Sequence, residues 1–251
     1  MEVLKTEGLC MSFGGVLALC NVSLRVEKGE RLVIIGPNGA GKTTLFSVLD
    51  GQLKATAGQI YFFGQEITHV PGYRRAHRGI SRSFQLTTLF MNLTILENTL
   101  LALQGTKQSR FQILRPITAY KHLYNKAQAL LDPMELWEKR NDQVHAISYG
   151  DQRKLEIALG LASEPRLLLL DEPSTGLTSA ERADVTSRIR NLGADITVIV
   201  ATHDMDLAFG VAQRIIVLHH GEIVTVGTPE EIRADPKTRE IYLGEEGIRH
   251  A

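Results

Sequence analysis

Gly36-Pro37-Asn38-Gly39-Ala40-Gly41-Lys42-Thr43-Thr44 follows directly on the apolar run Leu32-Val33-Ile34-Ile35. A buried strand that feeds a glycine-rich loop and then a helix is a holder for the phosphates of a nucleotide. The glycines let the backbone curl until successive N–H groups point inward, at the positive end of a helix predicted to begin near Lys42. Lys42 is placed to reach the β- and γ-phosphates, and the Thr43 hydroxyl to ligate Mg²⁺. A glycine-rich turn that binds nothing is the plain alternative, and the strand, the lysine and the two hydroxyls together argue against it. The expected ligand is a nucleoside triphosphate, held by Gly36, Asn38, Gly39, Ala40, Gly41, Lys42, Thr43 and Thr44.

A second segment supplies the chemistry such a cradle needs for hydrolysis. Leu167-Leu168-Leu169-Leu170-Asp171-Glu172-Pro173 is an apolar strand ending in two acids, and ligands of parallel sheets bind at the strands' carboxyl ends. Asp171 is expected to hold Mg²⁺, and Glu172 to orient or deprotonate the attacking water. Ile196 to Ala201 is a further apolar strand, followed by Thr202-His203-Asp204, where His203 is expected to reach the γ-phosphate. Gln85, after Ser81-Arg82-Ser83-Phe84, is expected to sense Mg²⁺ and water at the lip of the site.

Ile147-Ser148-Tyr149-Gly150-Asp151 opens another predicted helix, with Ser148 as its N-cap and Leu155, Ala158, Leu159 and Ala162 as its buried stripe. A serine hydroxyl and a glycine N–H at a helix start form a second surface suited to phosphate. One chain carries one phosphate loop, so Ser148 and Gly150 are expected to serve another subunit's nucleotide. An ordinary capped helix is the alternative.

Composition bounds the rest. The chain has 251 residues, 43% of them hydrophobic and 22% charged, with 28 basic and 28 acidic side chains. The zero formal charge lacks the basic excess of a general nucleic-acid binder, so no nucleic-acid partner is expected. Cys10 and Cys20 fit no metal or disulfide framework and are read as buried thiols. No uncharged apolar stretch reaches about 18 residues and the first residues resemble no signal peptide, so a soluble chain is expected, meeting a membrane only through a partner.

The fold class expected is α/β: a mostly parallel sheet with crossover helices, an antiparallel β subdomain and an inserted helical subdomain. Residues 1–86 and 146–251 are assigned to the nucleotide-binding core and 87–145 to the helical lobe, within a single domain. Alternation marks Glu2–Leu9, Leu17–Val26 and Gln59–Phe63 as antiparallel strands, while Thr44–Leu53 and Ala180–Leu192 read as helices between the parallel strands. The tail supplies a hairpin, Ile215–Leu218 and Ile223–Val226, and a capping box at Thr228 and Glu231.

Taken in order, these segments resemble the ATP-binding cassette (ABC) ATPases over nearly the whole chain. By that resemblance Gly36–Thr44 is the Walker A loop, Gln85 the Q-loop, Ser148–Gln152 the signature, Asp171 and Glu172 the Walker B pair, Ser174–Thr178 the D-loop and His203 the switch histidine. Phe13 matches the aromatic position that stacks on adenine. Two departures stand out: the signature carries Asp151 where the family has Gln, with Arg153 as its suggested partner, and the D-loop ends in Thr178 where the family has Asp.

Phe13-Gly14-Gly15, Ser148-Tyr149-Gly150 and the tail from Gly227 to Gly244 resemble more narrowly the ATPases of branched-chain amino acid importers. That resemblance implies ATP and Mg²⁺ as ligands. It also implies a second ATPase subunit (identical or different), two integral membrane permease subunits and, indirectly, an extracytoplasmic solute-binding protein. The expected place is the cytoplasmic face of the inner membrane, as a peripheral protein. A cassette of another transporter, for lipid or another solute, or a non-transport cassette protein, is the alternative.

Overall fold

In the computed structural model, residues 1–83, 89–105 and 121–249 are described, with side chains through Tyr242. The strand that precedes the glycine loop, β3 (Arg31–Ile35), lies in a six-stranded sheet. Its companions are β6 (Ile80–Ser83), β7 (Leu167–Asp171), β8 (Thr197–Thr202), β9 (Arg214–His219) and β10 (Glu222–Gly227), in the order β10-β9-β3-β8-β7-β6. All neighbours are parallel except β10 against β9.

Every residue of β3, β7 and β8 is buried because both sheet faces are covered. Leu32, Ile34, Leu167, Leu169, Ile199 and Ala201 face one apolar core. Val33, Ile35, Leu168, Leu170, Val198 and Val200 face the other. Continuous apolar runs are what such strands require, since a polar side chain on either face would lose its water.

The first core lies between this sheet and an antiparallel one, ordered β2-β1-β4-β5, made of β1 (Glu2–Phe13), β2 (Val16–Glu27), β4 (Ala57–Phe62) and β5 (Gln65–Glu66). Leu45, Phe46, Val48 and Leu49 of helix α1 (Lys42–Leu49) fill the space between. The helix is shorter than its sequence pattern implied. It ends at the cap residue Asp50, followed by Gly51 with φ 82°. Helix α2 (Gly72–His77) brings the fully buried Arg75 against that end. Its guanidinium donates to the carbonyls of Val48, Leu49, Thr68 and Val70 at 2.7–2.9 Å. Burial pulls Arg75 down to about 10, still charged at neutral pH.

The second core is roofed by α5 (Tyr149–Leu161), α6 (Ser179–Arg190) and α7 (Met205–Val211). On α5 stand α3 (Ile95–Gly105) and α4 (Lys121–Leu131), which share a small apolar cluster of Leu100, Leu103, Leu123, Ala127 and Ala162. Ala127 belongs to that cluster, whereas Leu131 and Met134 reach the second core. The predicted stripe on α5 is too narrow. Asp151, Arg153, Lys154 and Glu156 are buried with it, so the helix is covered nearly all round.

The tail hairpin forms as read, and β9 also runs parallel to β3, which its sequence does not reveal. Gly221 at the hairpin turn donates to the Ala40 carbonyl and accepts from the Cys20 N–H, both at 2.9 Å. The Thr228–Glu231 capping box begins α8 (Pro229–Ala234), and a further helix, α9 (Pro236–Arg249), follows. Cys10 and Cys20 are free but only half-buried, a correction to the sequence reading; both lie on partly exposed β1 and β2. Among the described residues, no helix is long and apolar enough to cross a membrane.

Candidate nucleotide site

The parallel register decides the geometry. Ile35 pairs with Thr202 and Asp171 with Ala201, so Gly36, Glu172 and His203 emerge at one edge of the sheet. There a cavity of about 370 Å³ is lined by Ala18, Asn38 through Thr44, Glu172, Thr175 and His203. Its size falls within the range of small-ligand sites. A larger cavity, about 650 Å³, lies at the opposite edge, where Pro165, Arg166 and Ile196 precede the strands. It has no phosphate loop, so the smaller cavity is the candidate site.

The loop enters α1 through Gly41, whose φ of 105° is a left-handed conformation that side-chain-bearing residues rarely adopt. A Cβ there would also meet the Ala18 carbonyl at 2.6 Å. No side chain caps α1 and no acid occupies its first turn. Helix starts leave N–H groups without intrahelical acceptors, so this end is suited to an anion. Lys42 is buried, with Nζ donating to the carbonyls of Gly36 at 2.6 Å and Pro37 at 3.1 Å.

Glu172 stands opposite. Its Oε1 lies 3.6 Å from Lys42 Nζ, and its Oε2 lies 2.8 Å from His203 Nδ1. Thr175 and Thr202 hydroxyls reach Oε2 at 3.5 and 3.4 Å. Glu172 holds φ at 48°, an uncommon backbone state that persists only where the surroundings enforce it. The Glu172 N–H donation to Ala201 O at 2.8 Å supplies part of that enforcement.

Asp171, one residue earlier, points the other way. Its Oδ2 accepts from Arg82 Nη2 at 2.7 Å, and burial drives its carboxyl upward against the opposing pull of Arg82. Among the described residues, Oδ1 is buried without a hydrogen-bond partner. Asp171 is not among the residues that line the cavity, although Lys42 is near enough to act on its charge. A buried carboxylate oxygen without a partner among the described residues, with the Thr43 hydroxyl on the cavity wall, fits a hard divalent cation such as Mg²⁺.

Other predicted residues lie elsewhere. Phe13, 46% exposed, ends β1 outside the cavity lining, although Ala18 of the adjoining strand β2 contributes to the wall. Gln85 lies outside the described residues. Ser148 caps α5, accepting from Asp151 N at 3.1 Å, and neither it nor Gly150 lines the cavity. The Gly150 N–H is taken by Glu181 Oε1 at 3.2 Å.

Asp151 does not pair with Arg153. Its oxygens bind Lys139 at 2.6 Å and Lys154 at 2.8 Å, while Arg153 binds Glu156 at 2.6 Å and the Tyr149 hydroxyl at 2.5 Å. The i,i+3 geometry favours Lys154 and Glu156 over the i,i+2 neighbour, which faces away on a helix, while Lys139 reaches Asp151 from outside the helix. Burial works against the Asp151 charge, yet the two lysines hold its carboxyl below the usual range. Thr178 makes the N-cap of α6 in a capping box with Glu181. Sequence reasoning missed Arg82, Thr202 and Glu181. Thr202, at a strand end beside His203, and Glu181, three residues after Thr178 in a capping-box pattern, carried local signals; Arg82 carried none.

Comparison with known proteins identifies the family. The profile of the family described as ABC transporter matches residues 19–175. The chain belongs to the ABC transporter family. Its cassette is 39% identical over 250 residues to the high-affinity branched-chain amino acid transport ATP-binding protein LivG of Salmonella typhimurium, covering 97% of this chain and 98% of that protein. Its fold matches the ADP conformation of an ATP-binding cassette of an ABC transporter with a TM-score of 0.87 and 31% identity, covering 97% and 99% of the two chains. It also matches a dimeric post-hydrolysis cassette bound to ADP and phosphate, with a TM-score of 0.75 and 27% identity over 90% of this chain and 98% of that one. This ABC cassette is an ATP-binding transporter subunit and an ATPase.

Proposed function

We propose that this ABC ATPase hydrolyses ATP at Glu172 to drive import of branched-chain or related hydrophobic amino acids. The observation that carries the hydrolytic part is Glu172 wedged between Lys42 and His203 at the mouth of the glycine loop. The likeness to LivG over almost the full length supports the solute class.

In this reading the loop from Gly36 to Thr44 binds the triphosphate tail, with Lys42 on the β- and γ-phosphates. Glu172 takes the proton from the attacking water, and His203 orients Glu172 and meets the γ-phosphate. Thr43, Asp171 and Gln85 would hold Mg²⁺, which when bound neutralises charge on the phosphate oxygens. Phe13, exposed on its hairpin, stacks on adenine.

Two cassettes meet head to tail, and each ATP lies between one glycine loop and the opposing Ser148 and Gly150. The second cassette is identical or different. The pair sits beneath two integral membrane permease subunits at the cytoplasmic face of the inner membrane, fed by an extracytoplasmic solute-binding protein. Residues 1–86 and 146–251 act as the nucleotide core, and 87–145 as the lobe that carries closure to the membrane subunits.

Reconstitution tests the proposal. The cassette, purified with its membrane subunits in liposomes, is expected to support ATP-dependent leucine uptake in the presence of the binding protein. Purification with DNA or ribosomal RNA in place of polytopic subunits would sink it.

A further inference from the structure

We propose that Arg82 is a positioning residue that fixes the carboxylate of Asp171 for its divalent cation by bracing it against the far end of α1. The inference rests on the reading of Asp171 as a metal ligand given above. Arg82 stands on β6, one strand from Asp171, and only 7% of its side chain is exposed. Its planar guanidinium serves two elements at once. Nη2 donates to Asp171 Oδ2 at 2.7 Å, while Nη1 donates to Asp50 Oδ2 at 2.9 Å and Ser47 Oγ at 3.0 Å. Ser47 belongs to the last turn of α1 and Asp50 is its cap residue. The Phe46 ring lies 5.8 Å from the guanidinium carbon and supports the group from the side.

This arrangement commits one oxygen of Asp171 and leaves Oδ1, buried and without a partner among the described residues, as the one available to a cation. The helix that begins at the phosphate loop and the strand that ends at Asp171 are thereby held at a set spacing by one rigid fork. An arginine suits that task because its donors are fixed in a plane, which a lysine ammonium does not reproduce. Partners that orient a ligating group, without touching the metal, tune affinity strongly.

A rival role is charge neutralisation alone. The two roles predict opposite signs. If Arg82 only cancelled charge, its removal would take one positive charge from the site, leaving the site as a whole more negative and cation binding tighter. If it positions the carboxylate, removal lets Asp171 rotate and cation binding weakens.

The experiment titrates Mn²⁺ into full-length protein holding ADP, with free Mn²⁺ read by electron paramagnetic resonance, and measures ADP binding in EDTA by calorimetry. Arg82→Met is expected to raise the Mn²⁺ half-saturation by about 10-fold or more, with ADP affinity in EDTA unchanged. Arg82→Lys is expected to fall between Arg82→Met and the parent. Mn²⁺ affinity that is unchanged or tighter in Arg82→Met overturns the proposal, as does parallel loss of ADP binding in EDTA. Asp50→Ala removes the other carboxylate anchor of the fork and decides the matter if Arg82→Met does not fold: weaker Mn²⁺ binding supports bracing, and parental binding overturns it. Asp171→Asn separates the two levels of inference. If it binds Mn²⁺ like the parent, the metal assignment itself falls. If it loses Mn²⁺ while Arg82→Met does not, only the role of Arg82 falls.

Discussion

Glu181 joins two helix starts: one carboxylate oxygen accepts the Gly150 N–H at 3.2 Å and the other the Thr178 N–H at 3.0 Å. The approach needs glycine, since a Cβ at position 150 would lie 2.7 Å from Glu181 Oε1 and 2.8 Å from its Cγ. The Thr178 N–H, then the Thr178 hydroxyl and the Gly150 N–H, hold this carboxyl below the usual glutamate range. A carboxyl depressed on folding adds stability above its unfolded value, and that stability is lost as pH falls through the folded value. Glu181→Gln is therefore expected to lower the thermal midpoint at neutral pH, with the gap closing only below about pH 4. A gap that persists undiminished in acid would count against this linkage.

Asp151 obeys the same sign for a different reason, since it owes its ionisation to Lys139 and Lys154. Lys154 also binds Asp184 at 3.2 Å, so the network ties α5 to α6. In Asp151→Asn, Lys154 keeps only the more distant partner. The substitution is expected to destabilise at neutral pH and to become silent as acid protonates Asp151 in the parent. Urea midpoints measured across that range check it.

Glu172→Gln is expected to cut turnover by a factor of about 10²–10⁴ while ATP still binds, as loss of a positioned base requires. Lys42→Ala acts at the earlier step and weakens nucleotide binding, readable by calorimetry. Turnover at the parental rate in Glu172→Gln would remove the role assigned to that side chain.

Arg75→Met leaves the carbonyls of Val48, Leu49, Thr68 and Val70 without their shared donor. Buried acceptors stripped of a partner carry a desolvation cost, so a loss of about 2–4 kcal/mol is expected in urea unfolding. A loss near zero would mean that water replaces the guanidinium there.

What the sequence made legible divides by distance along the chain. The strands at Leu32, Leu167 and Val198 were readable because burial on both faces leaves an unbroken apolar run. The loop at Gly36 and the acids at Asp171 and Glu172 were readable because their residue types are dictated locally by phosphate and metal chemistry. The bond from Arg82 to Asp171 spans 89 positions and that from Gly150 to Glu181 spans 31, so no short pattern announces either. Asp151 was assigned the wrong partner because two lysines compete there, and Lys139 approaches from outside the helix. The place of β9 beside β3 was hidden for the same reason: a hairpin strand looks alike whether its outer edge is paired or bare.

The seat of the phosphate loop is finished late. The turn at Gly221 must arrive before the Ala40 carbonyl and the Cys20 N–H find their partners. A nascent chain emerging from the ribosome carries the whole glycine loop long before that turn is made. Those two hydrogen bonds therefore join the seat of the loop to a turn that is synthesised only near the far end of the chain.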